Sequence, residues 1–359
     1  MGGSVFGNIF KIMTWGESHG AAVGVTIDGC PAGLSLCEED IQRYLDRRKP
    51  GQSKFTTARQ EGDRVEILSG VFEGKTTGTP IALVVRNQDQ RSKDYSAIMD
   101  VYRPGHADYG FDAKYGFRDY RGGGRSSGRE TIGRVAAGAV AVKLLEQYGI
   151  TVTAYTKSIG EFEVDPDRFD LAVRDENRLY MPDAAAAAAA ELWLTDVMAR
   201  CDSAGGVVEC VIDGVPAGVG EPVFDKLDAS LAGAVMSIGA VKGFEIGDGF
   251  AAARSCGSSN NDAFYCDESG TIRKKTNHSG GILGGISDGS RILFRAAFKP
   301  TPSIAQDQQT VNRDGENVEI AIHGRHDPVV VPRAVVVVEA MAALTVVDLF
   351  FRNKNSRLD

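Results

Sequence analysis

The chain has few of the residue patterns that mark metal, redox or nucleophilic chemistry. Its six cysteines include no Cys-x-x-Cys pair, and only five histidines and two tryptophans occur in 359 residues. It also has no Walker sequence, no Gly-x-Ser-x-Gly, no dinucleotide-binding glycine fingerprint and no metal-spaced His/Glu group. Zinc sites, redox dithiols and covalent nucleophiles are therefore unsupported, and we expect reduced thiols and no bound metal.

Membrane and export segments are not predicted either. Glycine, serine and asparagine interrupt the first ten residues, so no charged-then-apolar leader is expected there. The most apolar stretch, residues 334–351, contains Glu339 and Asp348 and predicts a buried helix rather than a membrane span. We expect a cytoplasmic protein without a membrane partner.

Acidic residues outnumber basic ones overall, 48 to 40, but positive charge is concentrated in one segment. The formal net charge of −8 argues against a protein that coats nucleic acid. Between residues 103 and 129, however, cations outnumber the three aspartates Asp108, Asp112 and Asp119; the cations are Arg103, Lys114, Arg118, Arg121, Arg125 and Arg129. A basic pocket in an acidic protein suits a small polyanion better than a polymer.

The segment Arg121–Thr131 is the strongest local signal. It interleaves three arginines with four glycines and two serines and leads into a helical pattern. Glycines let backbone N–H groups converge, a helix start adds further donors, and arginines bind carboxylate or phosphate bidentately. This pattern predicts an anion site. The alternative is an RNA-binding Arg-Gly loop, which the acidic net charge and the lack of aromatic residues among the basic ones disfavour.

Two histidines and one aspartate lie in polar turns where they could move protons. His19 and His106 have glycine neighbours, which predicts exposed imidazoles that exchange protons near neutral pH. Each could instead simply bond to its own turn. Asp327 precedes a proline, so it is either a base or a cap of that turn. The loop Lys299–Ser303 could hold a phosphate or be a plain proline-rich connector.

Repeated segments predict an architecture of two related halves. Residues 27–33 recur as residues 212–218, and residues 67–74 are echoed in the same order by residues 282–289. Helices are predicted at 38–48, 132–148 and 224–238, and a strand at 150–154. The pattern predicts an α+β fold with helices buried between sheets. We expect one domain over 1–359, with halves at about 1–150 and 200–350.

Four motifs resemble those of the chorismate synthase family. They are Gly-Glu-Ser-His-Gly at 16–20, Arg-Pro-Gly-His-Ala-Asp at 103–108, the Arg-Gly-Gly-Gly-Arg-Ser-Ser segment at 121–127, and Gly-Arg-His-Asp-Pro at 324–328. The resemblance extends from about Gly7 to Arg352. It implies a β-α-β sandwich with internal pseudo-twofold symmetry, and a homotetramer. The implied enzyme is a lyase that uses reduced FMN to convert 5-enolpyruvylshikimate 3-phosphate to chorismate and phosphate by 1,4-anti elimination, the last step of the shikimate pathway.

The resemblance also implies a role for each matching residue. His19 would protonate the leaving phosphate, His106 the reduced flavin, and Asp327 would relay a proton with the flavin. Substrate would contact Arg48, Lys54, Arg103, Arg129, Arg313 and Arg325. Flavin would contact Arg125, Ser126, Ser127, Gly239, Ala240, Gly284, Lys299, Pro300, Thr301, Pro302, Ser303 and Arg325.

The compact chain resembles the monofunctional members of that family. An external reductant would then supply reduced FMN, with NADPH only an indirect source of electrons. The competing hypothesis is a flavoprotein reductase, which would consume NADPH in proportion to its product.

Overall fold

Two antiparallel sheets of five strands form the frame of the molecule. The structure, a computed structural model, describes residues 3–52, 55–56, 61–88, 98–322 and 326–358. The strands are β1 (Val5–Phe6), β2 (Lys11–Gly16), β3 (Ala22–Asp28), β4 (Val65–Ile67), β5 (Val71–Phe72), β6 (Lys75–Thr76), β7 (Ile81–Arg86), β8 (Thr151–Ile159), β9 (Phe162–Glu163), β10 (Gly206–Asp213), β11 (Val241–Ile246), β12 (Phe264–Cys266), β13 (Ile272–Lys274), β14 (Ile282–Leu283), β15 (Ile286–Ser287), β16 (Ile292–Phe298), β17 (Gln308–Val311) and β18 (Asn317–Ile320).

The helices lie mainly between these sheets. They are α1 (Glu38–Arg48), α2 (Asp108–Tyr115), α3 (Thr131–Glu146), α4 (Ala184–Ala199), α5 (Leu227–Met236), α6 (Gly257–Asn260) and α7 (Val331–Asn353). Helix α3 packs on β2 and β3 of the first sheet, α7 packs on β8 and β10 of the second, and the two helices pack on each other. The predicted α+β sandwich with buried helices is therefore confirmed.

Helix α7 has the length and apolar composition of a membrane span, yet it lies inside the molecule. Its most apolar stretch is 94% buried. At the crossing with α3, Gly138 removes the side chain that would block contact, since a Cβ there would come within 2.3 Å of the Ala340 Cβ. The buried helix predicted for residues 334–351 is confirmed, with observed bounds of Val331–Asn353.

The other predicted helices also form, with small shifts at their ends. Helix α1 has the predicted bounds, with acidic residues in its first turn, basic residues in its last and Ile41 and Leu45 buried on one face. Helix α5 covers ten residues of the predicted 224–238. Helix α3 ends at a Gln147 cap rather than at Gly149, which adopts a left-handed conformation two residues later.

The two sheets share the topology of four of their five strands. In the orders β1-β2-β3-β7-β4 and β9-β8-β10-β16-β11 the last four positions match, and each half continues from its long hairpin into α1 or α5. The edge strands differ, because β1 precedes β2 in the chain whereas β9 follows β8. The hydroxyl of Thr76 accepts from the Leu34 N–H and donates to Pro31, at 3.0 and 2.6 Å. The hydroxyl of Ser287 does the same to Val219 and Pro216, at 2.9 and 2.6 Å.

This shared bonding corrects the register of the second sequence echo. Thr76 corresponds to Ser287, so residues 71–76 match 282–287 rather than 67–74 matching 282–289. Both hairpin turns contain two consecutive left-handed residues, Glu73–Gly74 and Gly284–Gly285. The predicted register was wrong because it aligned two Ile-Leu pairs, at 67–68 and 282–283. The left-handed residues of the two turns show instead which positions correspond.

The α3–α7 crossing generates a prediction about stability. Gly138→Ala should lower the free energy of unfolding by about 1–3 kcal/mol, because the added methyl meets the backbone and side chain of Ala340. Gly233→Ala is the matched control. It lies within α5 with no atom near its Cβ position and should stabilise by about 0.5–1 kcal/mol. Urea unfolding of both variants measures the difference, and equal midpoints would contradict close packing at Gly138.

Candidate active site

One cavity of 1290 Å³ brings most of the predicted site residues together. Equivalent parts of both halves meet there: the carboxyl ends of α1 and α5, the amino ends of α3 and α7, and the loop that follows β16. The predicted residues that line it are His19, Arg48, Arg103, His106, Arg125, Ser126, Ser127, Arg129, Gly239, Ala240, Lys299, Thr301, Pro302, Ser303 and Asp327.

The remaining predicted residues divide into two groups. Gly284 lies in the β14–β15 turn and Arg313 lies beyond β17; neither lines the cavity, and Arg313 instead forms a bidentate ion pair with Asp112 at 2.9 and 3.0 Å. Pro300 lies between two lining residues. Lys54 and Arg325 fall outside the described residues. Ligand contacts of all these residues stay predictions.

The cavity is strongly cationic. Six arginines and two lysines among the described residues line it against the carboxylates of Glu130 and Asp327. The amino ends of α3 and α7 add the positive ends of two helix dipoles. Positive charge is therefore concentrated in this cavity although the chain carries a net charge of −8, and anion binding there stays a prediction.

A buried carboxylate holds two of these arginines together. The Asp63 oxygens accept from Arg48 at 2.5 Å and Arg129 at 2.9 Å, and both guanidinium groups are almost fully buried. Glu61 lies 3.4 Å from Arg129, and Asn87 accepts a further hydrogen bond from it. This pairing fixes the two planar groups before any ligand arrives.

Charge and burial oppose each other in this cluster. Burial alone would raise the pKa of Asp63, but Arg48 and Arg129 outweigh it and hold that pKa below its ordinary value. Burial lowers the pKa of Arg48 to about 10, against the attraction of Asp63, so the guanidinium stays charged at neutral pH. The Nε of Arg48 has no hydrogen-bond partner among the described residues and is itself buried, and the Arg129 nitrogen without a hydrogen bond is the one that lies 3.4 Å from Glu61.

His106 is neutral rather than a ready proton donor. Its Nδ1 lies 3.0 Å from the Pro104 carbonyl, which can only accept, so Nδ1 carries the proton. Its Nε2 therefore accepts from the Ser303 hydroxyl at 2.9 Å. Burial, followed by the charge of Arg103, lowers the pKa of His106 to about 4. The predicted exchange of protons near neutral pH is wrong for this imidazole in the ligand-free chain.

His19 is packed against the glycine segment. Only 8% of the residue is exposed, which overturns the expectation of an exposed histidine, and its Nδ1 lies 3.1 Å from the Ser18 hydroxyl. A Cβ at Gly122 would stand 2.5 Å from the His19 Cε1 and 2.6 Å from its Nδ1. The glycine at 122 therefore makes room for the imidazole, a function that the anion-site interpretation of the segment had missed.

The rest of the glycine segment is tied to the first sheet. Arg125 donates to the carbonyl of Gly16 at 3.1 Å and to the hydroxyl of Thr14 at 2.7 Å. The Ser126 hydroxyl donates to the Gly123 carbonyl at 2.7 Å, and Ser127 caps the short turn that precedes α3. Arg125 thus has no carboxylate partner in the described structure, unlike Arg48 and Arg129.

Asp327 pairs with an arginine at the start of α7. Its Oδ2 lies 2.5 Å from Arg333 Nη1, and Arg333 also donates to the Arg48 carbonyl at 2.9 Å. Arg333 therefore joins the start of α7 to the end of α1. Sequence reasoning missed both Asp63 and Arg333, and the signal that could have found Arg333 is its place in the first turn of the long apolar helix.

Fold and cavity together define a protein with a cationic site suited to a small, multiply charged anion. The comparisons identify its family. The family model "Chorismate synthase" matches residues 10–351. The chorismate synthase of Lachnospira eligens is 66% identical over 100% of this chain and 98% of its own length. That of Cytophaga hutchinsonii is 56% identical over 99% of this chain and 99% of its own length. A crystal structure of chorismate synthase superposes with a TM-score of 0.77 at 33% identity, covering 97% of this chain and 93% of the other. The chain belongs to the chorismate synthase family.

The shared Asp63 carboxylate generates a prediction with a defined pH dependence. Asp63→Asn should lower the free energy of unfolding by about 3–5 kcal/mol, since two buried guanidinium groups lose their partner. Because the folded pKa lies below the unfolded value of about 3.9, this stability is present above that pH and is lost as pH falls through the folded pKa. The gap between wild type and variant should therefore stay constant from about pH 8 to 5 and shrink below about pH 4.

The control for that experiment is Asp46→Asn. Asp46 pairs with Lys49 on the surface, with 47% of its side chain exposed, so removing its charge should cost about 0–1 kcal/mol. Denaturant unfolding across the pH range measures both variants. If Asp63→Asn lowers the free energy of unfolding no more than Asp46→Asn does, the Asp63 carboxylate does not stabilise the two buried arginines.

His106 should titrate far below an ordinary histidine. Its ring nitrogens should show the neutral Nδ1–H form from pH 8 down to 5, with a midpoint near 4. An unfolded histidine titrates near ~6.5, so stability from neutral His106 is lost as pH falls between these values. Nitrogen-detected NMR of the ligand-free protein measures this, with His106→Gln identifying the signal. A midpoint near ~6.5 would contradict the assigned bonds.

Proposed function

We propose that this enzyme converts 5-enolpyruvylshikimate 3-phosphate to chorismate and phosphate by 1,4-anti elimination with bound reduced FMN. The observation that carries the proposal is the single cavity in which His19, His106 and Asp327 meet six arginines. The substrate carries two carboxylates and a phosphate, which need such a set of fixed cations. Membership in the chorismate synthase family supports the same reaction.

The cavity has the size and donors for two ligands. Its 1290 Å³ exceeds the roughly 300–1,000 Å³ of most single-ligand pockets. Arg48, Arg103 and Arg129 line the cavity and would face the substrate anions. The region around Arg125, Gly239 and Lys299 would hold the flavin, where a Cβ at Gly239 would meet no atom within 4 Å. When bound, reduced FMN supplies electron density as phosphate leaves and helps to remove the ring proton, with no net oxidation.

Breaking the carbon–oxygen bond moves negative charge onto the departing phosphate. Fixed arginines stabilise that charge without reorganising, because their carboxylate partners already hold them in place. His19 donates a proton to the leaving oxygen; its ring is held between Ser18 and Gly122. The buried guanidinium of Arg48 and the bidentate pair of Arg103 with Asp108 orient the anions.

His106 would protonate the reduced flavin, and Asp327 would take up the proton that leaves the substrate ring. Because Nε2 of ligand-free His106 accepts from Ser303, this nitrogen must gain its proton when anionic ligands bind, and their negative charge favours that change. Asp327, held by Arg333, accepts the ring proton in relay with the flavin. We further propose an external source of reduced FMN, with NADPH at most its indirect source, a cytoplasmic location and assembly as a homotetramer.

Turnover under anaerobic conditions tests the reaction. The chain, incubated with 5-enolpyruvylshikimate 3-phosphate and photoreduced FMN, should form chorismate, seen by its absorbance, through many cycles per flavin. His19→Ala should lower turnover about a hundredfold, the usual contribution of a general acid, while substrate still binds. Absence of product with flavin bound would refute the proposal, and NADPH consumed in proportion to product would favour a reductase.

The Gly122 contact provides a second variant for this assay. Gly122→Ala should reduce turnover at least about tenfold, because the added methyl displaces the His19 ring from its productive position. Gly74→Ala is the matched control, since Gly74 has a similar positive φ but no atom near its Cβ position. Equal loss in both variants would mean that backbone strain, not His19 placement, is responsible.

A further inference from the structure

The strand at the edge of the second sheet is irregular at one lysine beside the cavity. In the pairing of β11 with β16, Val241 lies opposite Phe298 and Gly243 opposite Ala297, so Lys242 is the extra residue of a β-bulge. Bulges re-aim side chains and are frequent next to active sites. Lys242 is exposed and lines the cavity.

The backbone on either side of this bulge is tied to the neighbouring loop. Ala240 has a φ of +74°, a conformation that costs a non-glycine residue free energy, and its carbonyl accepts from the Lys299 N–H at 2.9 Å. The Lys299 ammonium in turn donates to the Gly105 carbonyl at 2.7 Å. The fold thus fixes Lys299 directly beside the bulge that carries Lys242.

These two lysines differ from five of the six arginines that line the same cavity. Arg48, Arg103, Arg129, Arg134 and Arg333 each form an ion pair with a carboxylate. No such pair is present for Lys242 or Lys299 among the residues that the structure describes. Burial, and next the charge of Lys242, lowers the pKa of Lys299, so the two ammonium groups repel each other in the ligand-free chain. A bound dianion would relieve that repulsion.

We propose that Lys242 and Lys299 together bind the dianion of a phosphate monoester, with Lys242 placed by the β-bulge. The inference rests on the proposed function, which brings two such groups to the cavity: the phosphate of the flavin and that of the substrate. Lys242 adjoins the positions at 239–240 and 299–303 that we expect to contact flavin, which favours the flavin phosphate. Both are phosphate monoesters, so ligand comparison separates them.

The test compares ligands with and without their phosphate. Fluorescence titration gives the dissociation constants of FMN and riboflavin, and calorimetry that of 5-enolpyruvylshikimate 3-phosphate in the absence of flavin. The variants are Lys242→Met, Lys242→Arg and the control Lys11→Met, an exposed strand lysine that does not line the cavity. Lys242→Met should weaken FMN binding about tenfold or more, because it removes a charge-assisted contact to the phosphate. The dissociation constant of riboflavin, which has no phosphate, should stay within about twofold of the wild-type value.

Each outcome decides a different point. The flavin phosphate is supported if Lys242→Met weakens FMN binding while Lys242→Arg and Lys11→Met both bind FMN as the wild type does. Weaker substrate binding with unchanged FMN affinity supports the substrate phosphate as the dianion. Unchanged affinity for both ligands overturns the proposal. If the wild-type chain binds no FMN, the flavin-dependent function fails, while the substrate titration still decides the role of Lys242.

Discussion

Holding many like charges around one cavity is the constraint on which the rest of this structure depends. Guanidinium groups taken out of water are stable only when a partner compensates their charge, and the chain supplies one for most of them. Asp63 serves Arg48 and Arg129, Asp108 serves Arg103, and Asp327 serves Arg333. These carboxylates hold the arginines rigid and offset part of their positive charge. Orientation of donors, more than net charge, is then what the paired arginines offer a ligand.

The uncompensated cations define a different region of the same cavity. Arg125 is bound to carbonyls and hydroxyls, and Lys242 and Lys299 have no carboxylate partner in the described parts of the chain. The cavity is thus divided between paired arginines, which fix position, and unpaired cations, which attract. The proposed reaction brings a phosphate and a planar ring system to the cavity, and these differ in what they need from a site.

The features that could be predicted from the sequence are those set by residues close together in the chain. Helix α1 was predictable because its charges and apolar positions repeat every turn, and His19, His106 and Asp327 because each stands in a recognisable turn motif. Asp63 was not predictable, since only the fold brings it to two arginines distant in the chain. The position of Lys242 depends on a β-bulge, which the spacing of residues in the sequence does not reveal. The protonation of His106 likewise follows from burial and from the Pro104 carbonyl, which sequence patterns do not contain.

The meeting of equivalent helix ends at the cavity has a consequence for what the site can distinguish. In a symmetric pair of identical half-length chains, residues at such a meeting point would occur twice, so both faces of a ligand would meet the same side chains. In this single chain the two ends differ: α1 ends in the buried Arg48, whereas the small residues Gly239 and Ala240 follow α5. The cavity can therefore present different chemistry to the two faces of an unsymmetrical ligand.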